Sequence, residues 1–307
     1  MSHPSPASGR QPLPATARGS RLGDFGPVEW VLLVASALTW GSSFLLIEIS
    51  LESVAPPTIT WVRITLGFLV LTLVPAARRP VDRADYLRVA LLGLTWLAVP
   101  FSIFPIAQQY IDSALAGMLV AMVPIFTTLI AMVLMRSLPR FRQAAGITLG
   151  FVGAVSIGLP AARGSSAAAA GVMLVVLATI FHGISLNVAV PLQQRYGAPA
   201  VMMRAIGVAA LATAPLGLAG LAGSQWGTAP VLAVIVLGVS NTGAAFVLMT
   251  AFLGRVGSTR GGVAVYLVPV IAIVLGMVFR SEVVLPLQWA GTAVVLFGAW
   301  LTSRRES

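Results

Sequence analysis

The chain has 307 residues, of which 58% are hydrophobic and 9% charged, and its mean hydropathy of +0.94 excludes a water-soluble globular protein. Its net charge of +10 is spread over short segments between apolar runs, so we predict no continuous basic surface for nucleic acid. The absence of Cys excludes disulfides and thiolate chemistry.

The chain begins with a polar segment and continues with ten apolar segments. Residues 1–27 are rich in Pro, Ser, Ala and Gly and lack the apolar stretch of a cleavable signal peptide, so we predict a disordered cytoplasmic tail. Each apolar segment has about twenty residues and could cross a hydrocarbon layer of ~30 Å as a helix. The predicted fold class is an all-α integral membrane protein with transmembrane helices near 28–50, 57–76, 87–109, 112–135, 141–160, 168–191, 198–222, 229–253, 258–280 and 284–303.

The distribution of arginine predicts the orientation of these helices. The loops on one side contain Arg163 and Arg280, while Arg63 and Arg204 fall within spans. Because basic loops are retained in the cytoplasm, the other side, with fifteen arginines, is predicted to be cytoplasmic and to hold both termini. These fifteen are Arg10, Arg18, Arg21, Arg78, Arg79, Arg83, Arg88, Arg136, Arg140, Arg142, Arg195, Arg255, Arg260, Arg304 and Arg305.

The second half of the chain repeats the first. Residues 89–158 align with 234–303 without a gap at a shift of 145, and sixteen pairs are identical. The first two spans of each half align near a shift of 142. The identical pairs with the most distinctive residues are Pro124 with Pro269 and Gln143 with Gln288.

This repeat predicts the domain organisation. We predict two repeats of five transmembrane helices each, at 28–160 and 168–303. An odd number of spans reverses the second copy in the membrane, so the repeats are expected to be inverted. Inverted repeats are typical of transporters whose site lies where the halves meet.

Three segments carry a resemblance to a known family. They are LTWGSSFLLIEISLESVAPPTITWVRI, SALAGMLVAMVPIF and FLGRVGSTRGGVAVYLVPVIAIVLGMVFRSEVVLPLQWAGTAVVLFGAWL. In this order and spacing they resemble the EamA-type transporters of the drug/metabolite transporter (DMT) superfamily. The resemblance implies ten-span proteins of two repeats. Such proteins export amino acids, metabolites or toxic compounds across the bacterial inner membrane, or carry nucleotide-sugars in organelles.

The chain departs from this family at two charged positions. Glu48 stands where the family often has Lys, and Ser137 occupies the first-half position that matches Glu282. Family properties that depend on these charges are therefore not carried over to this chain.

Polar groups at membrane depth are the candidates for a cargo-binding site, since they are costly in lipid and usually face protein or water. Trp40 lies in the middle of the first span, and its repeat partner at the shift of 142 is His182. The symmetry predicts that both face the interface between the halves, although helix packing and one hydrogen bond would explain them equally well. If His182 lined a wet cavity it could titrate near physiological pH, and proton coupling is therefore a hypothesis.

Other candidates have structural alternatives. Ser43 shares a helical face with Trp40 and could serve close helix packing. Arg63 could extend to the membrane interface, although the resemblance, which includes an arginine at this position, favours a structural or gating contact. Pro124 and Pro269 lie at matched depths and are hinge candidates. Neutral hydrogen bonds to a polar cargo could come from Gln108, Gln109, Asn187, Asn241 and Tyr266.

We predict a secondary transporter, with export favoured, for small metabolites, amino acids or drug-like compounds, working by alternating access in the bacterial inner membrane. The chain has no GxxxxGK[ST] motif, which argues against direct drive by ATP. We expect a small-molecule cargo and the lipid bilayer as partners, no cofactor or metal, and no catalytic residues; the residues do not indicate an oligomeric state. The alternatives are a channel and a membrane-embedded enzyme, for which His182 is the one plausible catalytic group.

Overall fold

The computed structural model of the chain describes residues 25–261 and 263–303, so most of the predicted cytoplasmic tail lies outside the described residues. Within these ranges the regular structure is helical and contains no strand, which confirms the predicted all-α class. The helices are α1 (Pro27–Gly41), α2 (Ser43–Leu51), α3 (Pro56–Thr72), α4 (Tyr86–Leu92), α5 (Val99–Ala107), α6 (Ser113–Val120), α7 (Val123–Met135), α8 (Phe141–Gly164), α9 (Ser166–Tyr196), α10 (Ala198–Gly220), α11 (Thr228–Gly238), α12 (Ala245–Gly261), α13 (Val263–Arg280) and α14 (Pro286–Ser303).

Eight helical segments of the described chain are long and apolar enough to cross a membrane, which confirms the predicted membrane class. The predicted spans near 57–76 and 284–303 correspond to α3 and α14, which have 17 and 18 residues and are not among the eight. The count of ten spans therefore stays a prediction. The eight segments are Pro27–Leu51, Arg83–Ala107, Ser113–Met135, Phe141–Gly164, Ser166–Tyr196, Ala198–Gly223, Thr228–Val256 and Val263–Arg280.

Several helix ends differ from the hydropathy prediction: α8 ends at Gly164 instead of 160, α12 extends to Gly261 instead of 253, and α13 begins at Val263 instead of 258. Two further differences follow from backbone chemistry. Helix α3 ends at Thr72, four residues early, because Pro75 disfavours a helical conformation just before it and opens a short 3₁₀ turn. Helix α9 continues to Tyr196, past the predicted end at 191, because it accommodates Pro191 within its last turns. Gly197 then ends α9 with φ at +86°, a conformation that favours glycine.

Backbone irregularities recur at nearly the spacing of the sequence repeat. π-Helical turns occupy Gly93–Ala98, between α4 and α5, and Val239–Ala244, between α11 and α12. Arg136 follows α7 with φ at 51°, and Ser281 follows α13 with φ at 54°. These two residues are 145 positions apart and are the non-glycine residues with positive φ in the described chain. Corresponding segments of the two halves thus share local backbone geometry.

The matched glutamines perform the same structural task in the two halves. At the start of α8, the backbone N–H of Arg140 donates to Gln143 Oε1 at 3.1 Å. At the start of α14, the backbone N–H of Leu285 donates to Gln288 Oε1 at 2.9 Å. Each side chain accepts a hydrogen bond from a backbone N–H that the helix N-terminus leaves without a partner. This shared task explains why glutamine stands at both positions.

Helices α8 and α14 run antiparallel with their backbones in near contact through four glycines. A methyl group added to Gly146 would lie 2.6 Å from the carbonyl oxygen of Gly298, and one added to Gly153 would lie 2.6 Å from that of Gly291. The two contacts correspond under the repeat, since the shift of 145 converts Gly146 to Gly291 and Gly153 to Gly298. Because lipid provides no hydrophobic drive between helices, this close van der Waals contact is a main source of their association.

Other contacts between the halves also occur in matched pairs. A methyl group on Gly41 would lie 2.6 Å from Ile271 Cβ, and one on Gly183 would lie 2.9 Å from the carbonyl carbon of Phe126. The shift of 142 converts Gly41 to Gly183, and the shift of 145 converts Phe126 to Ile271. The largest group of buried apolar side chains draws on both halves, so the halves share one core.

The glycine contact predicts a difference between two otherwise similar substitutions. Gly153→Ala places a methyl group against the backbone of α14 and should reduce the free energy of unfolding by ~1–3 kcal/mol through overpacking. Gly254→Ala is the matched control, since a methyl group there meets no atom within 4 Å. Thermal unfolding of both variants in detergent should show a lower midpoint for Gly153→Ala alone; equal midpoints would contradict the packing described.

Candidate functional site

Polar side chains of the two halves meet beside the break in the first span. Ser42 separates α1 from α2, and Asn241 lies in the second π turn. Asn241 Nδ2 donates to Ser42 Oγ at 2.9 Å and also lies 3.3 Å from Ser43 Oγ. Both Ser43 and Asn241 are buried. The structure therefore brings these two predicted candidates together.

Arg63 lies in α3 beside the same π turn. Its Nε donates to Thr242 Oγ1 at 2.9 Å, and Thr242 Oγ1 in turn donates to the carbonyl oxygen of Leu237. The guanidinium carbon lies 3.9 Å from the centroid of the Phe101 ring, within the range of a cation–π contact. Arg63 is only 4% exposed, so its side chain is buried within the protein.

His182 and Trp40 both lie against the apolar core that the halves share. His182 Nδ1 is 3.0 Å from the carbonyl oxygen of Ala178, and the imidazole ring lies 5.9 Å from the ring of Phe104. Trp40 is partly buried and packs against the same core. The contacts described for His182 do not include Trp40, and a shared role of the two residues in cargo binding stays a prediction.

Asn187 and Tyr266 bond to neighbouring helices. Asn187 Nδ2 donates to the carbonyl oxygen of Thr127 at 3.0 Å and so connects α9 of the second half with α7 of the first. The Tyr266 hydroxyl donates to the carbonyl oxygen of Ala299 at 3.2 Å. These contacts match the structural alternative, in which neutral polar groups link helices.

Gln108 and Gln109 have different environments although they are adjacent. Gln108 is buried, and its Nε2 donates to the carbonyl oxygen of Phe44 at 2.8 Å, while its Oε1 is buried without a hydrogen-bond donor among the described residues. Gln109 is exposed in the turn after α5. The structure thus separates Gln109 from the buried candidates.

The two hinge candidates differ in local structure. Pro124 occupies the first turn of α7, just after a two-residue break that separates α6 from α7. In that position its missing N–H costs no helical hydrogen bond. Pro269 lies inside the continuous helix α13. The matched prolines therefore stand at a broken span in one half and within an unbroken helix in the other.

The π turns are the part of the site that sequence analysis missed. The second contains Thr242, the partner of Arg63, and the first contains Thr95, whose Oγ1 accepts a hydrogen bond at 2.9 Å from Ser185 Oγ of the other half. A single irregular turn leaves no periodic signal in the sequence. The available signal was the matched glycines Gly93 and Gly238, each close to a hydroxyl residue in an otherwise apolar run.

Ionic contacts join the halves near helix ends. At one end, Asp85 accepts hydrogen bonds from Arg88 Nη1 and Arg195 Nη1 at 3.0 Å and from the Tyr196 hydroxyl at 2.7 Å. Arg195 also bonds Asp82 through Nη2 at 2.7 Å. This group connects the segment before α4 with the end of α9.

A second ionic group joins the ends of α2 and α13. Arg280 donates to Glu48 at 2.8 Å and to Glu52 at 2.6 Å. Glu282, two residues later, accepts hydrogen bonds from the backbone N–H and hydroxyl of Ser113 at the start of α6. Burial, together with the carboxylate of Glu48, raises the pKa of Glu282 to about 7. This carboxyl group is thus poised to change its charge near neutral pH.

Curated relatives of similar length are named as transporters. The chain is 23% identical to an uncharacterized transporter of Archaeoglobus fulgidus, over 91% of this chain and 99% of that protein. It is 27% identical to a protein of Streptantibioticus cattleyicolor named a probable terminal-alkyne amino-acid exporter, over 89% of this chain and 92% of that protein. It is 26% identical to the uncharacterized inner membrane transporter YedA of Escherichia coli, over 88% of this chain and 89% of that protein.

Structural and family comparisons agree with these relatives. A crystal structure with 19% sequence identity shares the fold at a TM-score of 0.61, covering 89% of this chain and 96% of the other. Residues 29–159 and 169–304 each match the EamA-like transporter family. Since these two stretches cover most of its length, the chain belongs to the EamA-like transporter family.

Proposed function

We propose that the protein is a secondary transporter that exports small metabolites, amino acids or drug-like compounds across the cytoplasmic membrane by alternating access. Cargo binds between two inverted repeats, 28–160 and 168–303, with both termini in the cytoplasm. The observation that carries this proposal is the set of buried polar contacts between the halves, Arg63 with Thr242 and Asn241 with Ser42. Polar groups at this depth are costly in lipid and mark substrate paths.

The direction of corresponding helices supports the inverted arrangement. Helices α8 and α14, the fifth and tenth predicted spans, are counterparts in the repeat and run antiparallel, as their glycine contacts require. The start of the fourth span at Ser113 meets the end of its counterpart, the ninth, at Glu282. Counterparts with the same orientation would bring like ends together.

Contacts between loops support the ten-span arrangement. The backbone N–H of Ala55 donates to Ser224 Oγ at 3.0 Å, and both residues fall on the predicted outer side. Arg204 Nη1 lies 3.3 Å from the carbonyl oxygen of Ala77; Arg204 is near the predicted cytoplasmic start of the seventh span, and Ala77 is in the predicted cytoplasmic loop after the second. Helix α3 runs between these two contacts and therefore crosses the membrane in the proposed arrangement. Helix α14 crosses it alongside α8, with which it makes the antiparallel glycine contacts.

The ionic groups at the two ends are suited to closing the two sides in turn. Arg280 with Glu48 joins the halves on the predicted outer side, and Arg195 with Asp82 joins them on the cytoplasmic side. Partly exposed ion pairs contribute only ~0–1 kcal/mol each, so they can break and re-form during a transport cycle. We propose that each group opens when the other closes.

Amino acids are the first cargo to test, because the Streptantibioticus cattleyicolor relative is named a probable terminal-alkyne amino-acid exporter. Purified protein in proteoliposomes should show counterflow, in which preloaded unlabelled cargo accelerates uptake of the labelled compound. Uptake that increases in proportion to cargo concentration and is not accelerated by preloading would favour a channel. Chemical conversion of the compound would favour an enzyme. A panel of amino acids, including terminal-alkyne analogues, and of toxicants covers the proposed cargo classes.

The counterflow assay also tests Trp40 and His182. We expect Trp40→Ala and His182→Ala to lower the rate at subsaturating cargo by about tenfold, the effect of losing ~1.4 kcal/mol of binding. Trp226→Ala, at an exposed position outside the proposed path, is the control. Flux at the wild-type rate in both variants, with equal amounts of protein in the vesicles, would remove these residues from the cargo site.

Single-cysteine labelling tests the orientation of the repeats, since the chain has no native Cys. Leu138 and Val283 are exposed loop residues related by the shift of 145. In intact cells, a membrane-impermeant maleimide should label Val283→Cys but label Leu138→Cys only after lysis. Labelling of both variants from the same side would overturn the inverted arrangement.

The outer ionic group predicts a pH dependence of stability. Because the pKa of Glu282 rises from 4.5 to about 7 in the folded protein, its contribution to the free energy of unfolding is full below pH 4.5. That contribution is lost as the pH rises through about 7, since Glu282 then becomes charged in a partly buried position next to Glu48. The thermal midpoint in detergent should fall over this range, less steeply in Glu282→Gln. Glu52→Gln leaves the contact between Glu282 and Ser113 intact and is the control, so its midpoint should depend on pH as that of the wild type does. If the midpoint of Glu282→Gln fell with pH as steeply as that of the wild type, the assignment to Glu282 would be wrong.

A further inference from the structure

Arg63 is a cation buried between the halves, and no carboxylate of the described residues pairs with it. Arg195 and Arg280, in the ionic groups at the helix ends, are partly exposed, and each pairs with two carboxylates. Arg63 is 4% exposed and takes part in no ion pair within the described ranges. The described part of the protein therefore does not neutralise this charge directly, although a charge at membrane depth is costly.

The hydrogen-bonding capacity of Arg63 is also incompletely used. A guanidinium presents five N–H donors in a planar fork. Thr242 accepts the Nε proton, and the Phe101 ring covers one face of the group. The two Nη groups have no acceptor among the residues that the structure describes. A fork with free donors is suited to bind a planar anion through two parallel hydrogen bonds.

The charge balance at Arg63 indicates a carboxylate rather than a phosphate. Arg204, the other arginine within a predicted span, already donates to the backbone carbonyl oxygens of Ala77 and Ala200. A phosphate monoester carries nearly two negative charges near pH 7 and would leave an excess of negative charge beside a single cation. A carboxylate carries one charge and matches the flat guanidinium in shape.

The surroundings of Arg63 suit the remainder of an amphipathic molecule. Phe101 provides aromatic surface beside the guanidinium, and Phe104, three residues further along α5, lies with its ring 5.9 Å from that of His182. Asn241, next to Thr242, adds a neutral polar group from the other half.

We propose that Arg63 binds the carboxylate of a small organic acid or amino acid, and that this contact selects carboxylate-bearing cargo. The inference rests on the proposed transport function, which locates the cargo between the halves. A bound carboxylate neutralises the buried charge and accepts the free Nη donors. Occupied protein is therefore more stable than empty protein.

Thermal unfolding of the purified full-length protein in detergent tests this contact. The probes are L-phenylalanine and phenylacetate, each compared with its uncharged amide. We expect both carboxylates, but neither amide, to raise the unfolding midpoint. Arg63→Gln should weaken the apparent affinity for the carboxylates roughly tenfold to hundredfold, the usual effect of losing hydrogen bonds to a charged group. Arg63→Lys should retain part of the effect because it keeps the charge, and Arg204→Gln should behave as the wild type.

Several results would overturn the assignment: no stabilisation by either carboxylate, equal stabilisation by acid and amide, or full retention of the effect in Arg63→Gln. If Arg63→Gln does not fold, the acid-to-amide comparison in wild type and Arg63→Lys decides the question. Counterflow in the same preparations separates this inference from the proposed function. Flux without preference for carboxylates would overturn the role of Arg63 and leave transport standing. Carboxylate-specific stabilisation without flux would support the binding site and count against transport.

Discussion

A lipid bilayer offers no water to polar groups, and this constraint determines how the halves of the protein meet. Many buried amide and hydroxyl groups find acceptors within the protein, as Asn187 does at the carbonyl oxygen of Thr127. Three buried hydroxyl groups have no partner among the described residues, those of Ser36, Ser53 and Thr65. Lipid also gives apolar helices no preference for each other, so α8 and α14 depend on direct contact between glycine backbones. Arg63 is unusual because it is a buried charge with no carboxylate partner and with unused Nη donors among the described residues. The carboxylate of the proposed cargo would supply both the opposite charge and the missing acceptors.

Hydropathy alone predicts the approximate positions of the helices, because each span needs about twenty apolar residues to cross the bilayer. The departures come from local backbone chemistry that hydropathy does not record. Pro75 ends α3 early, whereas α9 absorbs Pro191 and stops at Gly197, where the backbone conformation favours glycine. The internal repeat is more informative than any single residue, since it predicts that Gln143 and Gln288 are equivalent, and the two side chains do make the same N-terminal contact in α8 and α14.

The candidate site could be predicted only in part. The sequence marked Arg63, Asn241 and Ser43 as polar groups at membrane depth, but it could not pair them, because their partners lie 179 to 199 positions away along the chain. Thr242 reaches Arg63 from a π turn, which is an irregularity of a single helical turn. Such a short irregularity does not change the apolar pattern of the sequence and could not be predicted from it. Gln109 was grouped with its neighbour Gln108 by position, although the end of α5 turns one side chain inward and leaves the other exposed.

The two halves share a sequence pattern but not the same interruptions. The first span breaks at Ser42 and the fourth breaks just before Val123, whereas their counterparts α9 and α13 are continuous at the equivalent positions 184 and 266–267. If the repeats exchange conformations when the protein turns from one side of the membrane to the other, these interruptions must exchange as well. The opposite-facing state would then have straight first and fourth spans and would be bent near Ile184 and Tyr266. On that premise the present shape would be one of two arrangements of the same bends, related by exchange of the two repeats, and its asymmetry would specify the other.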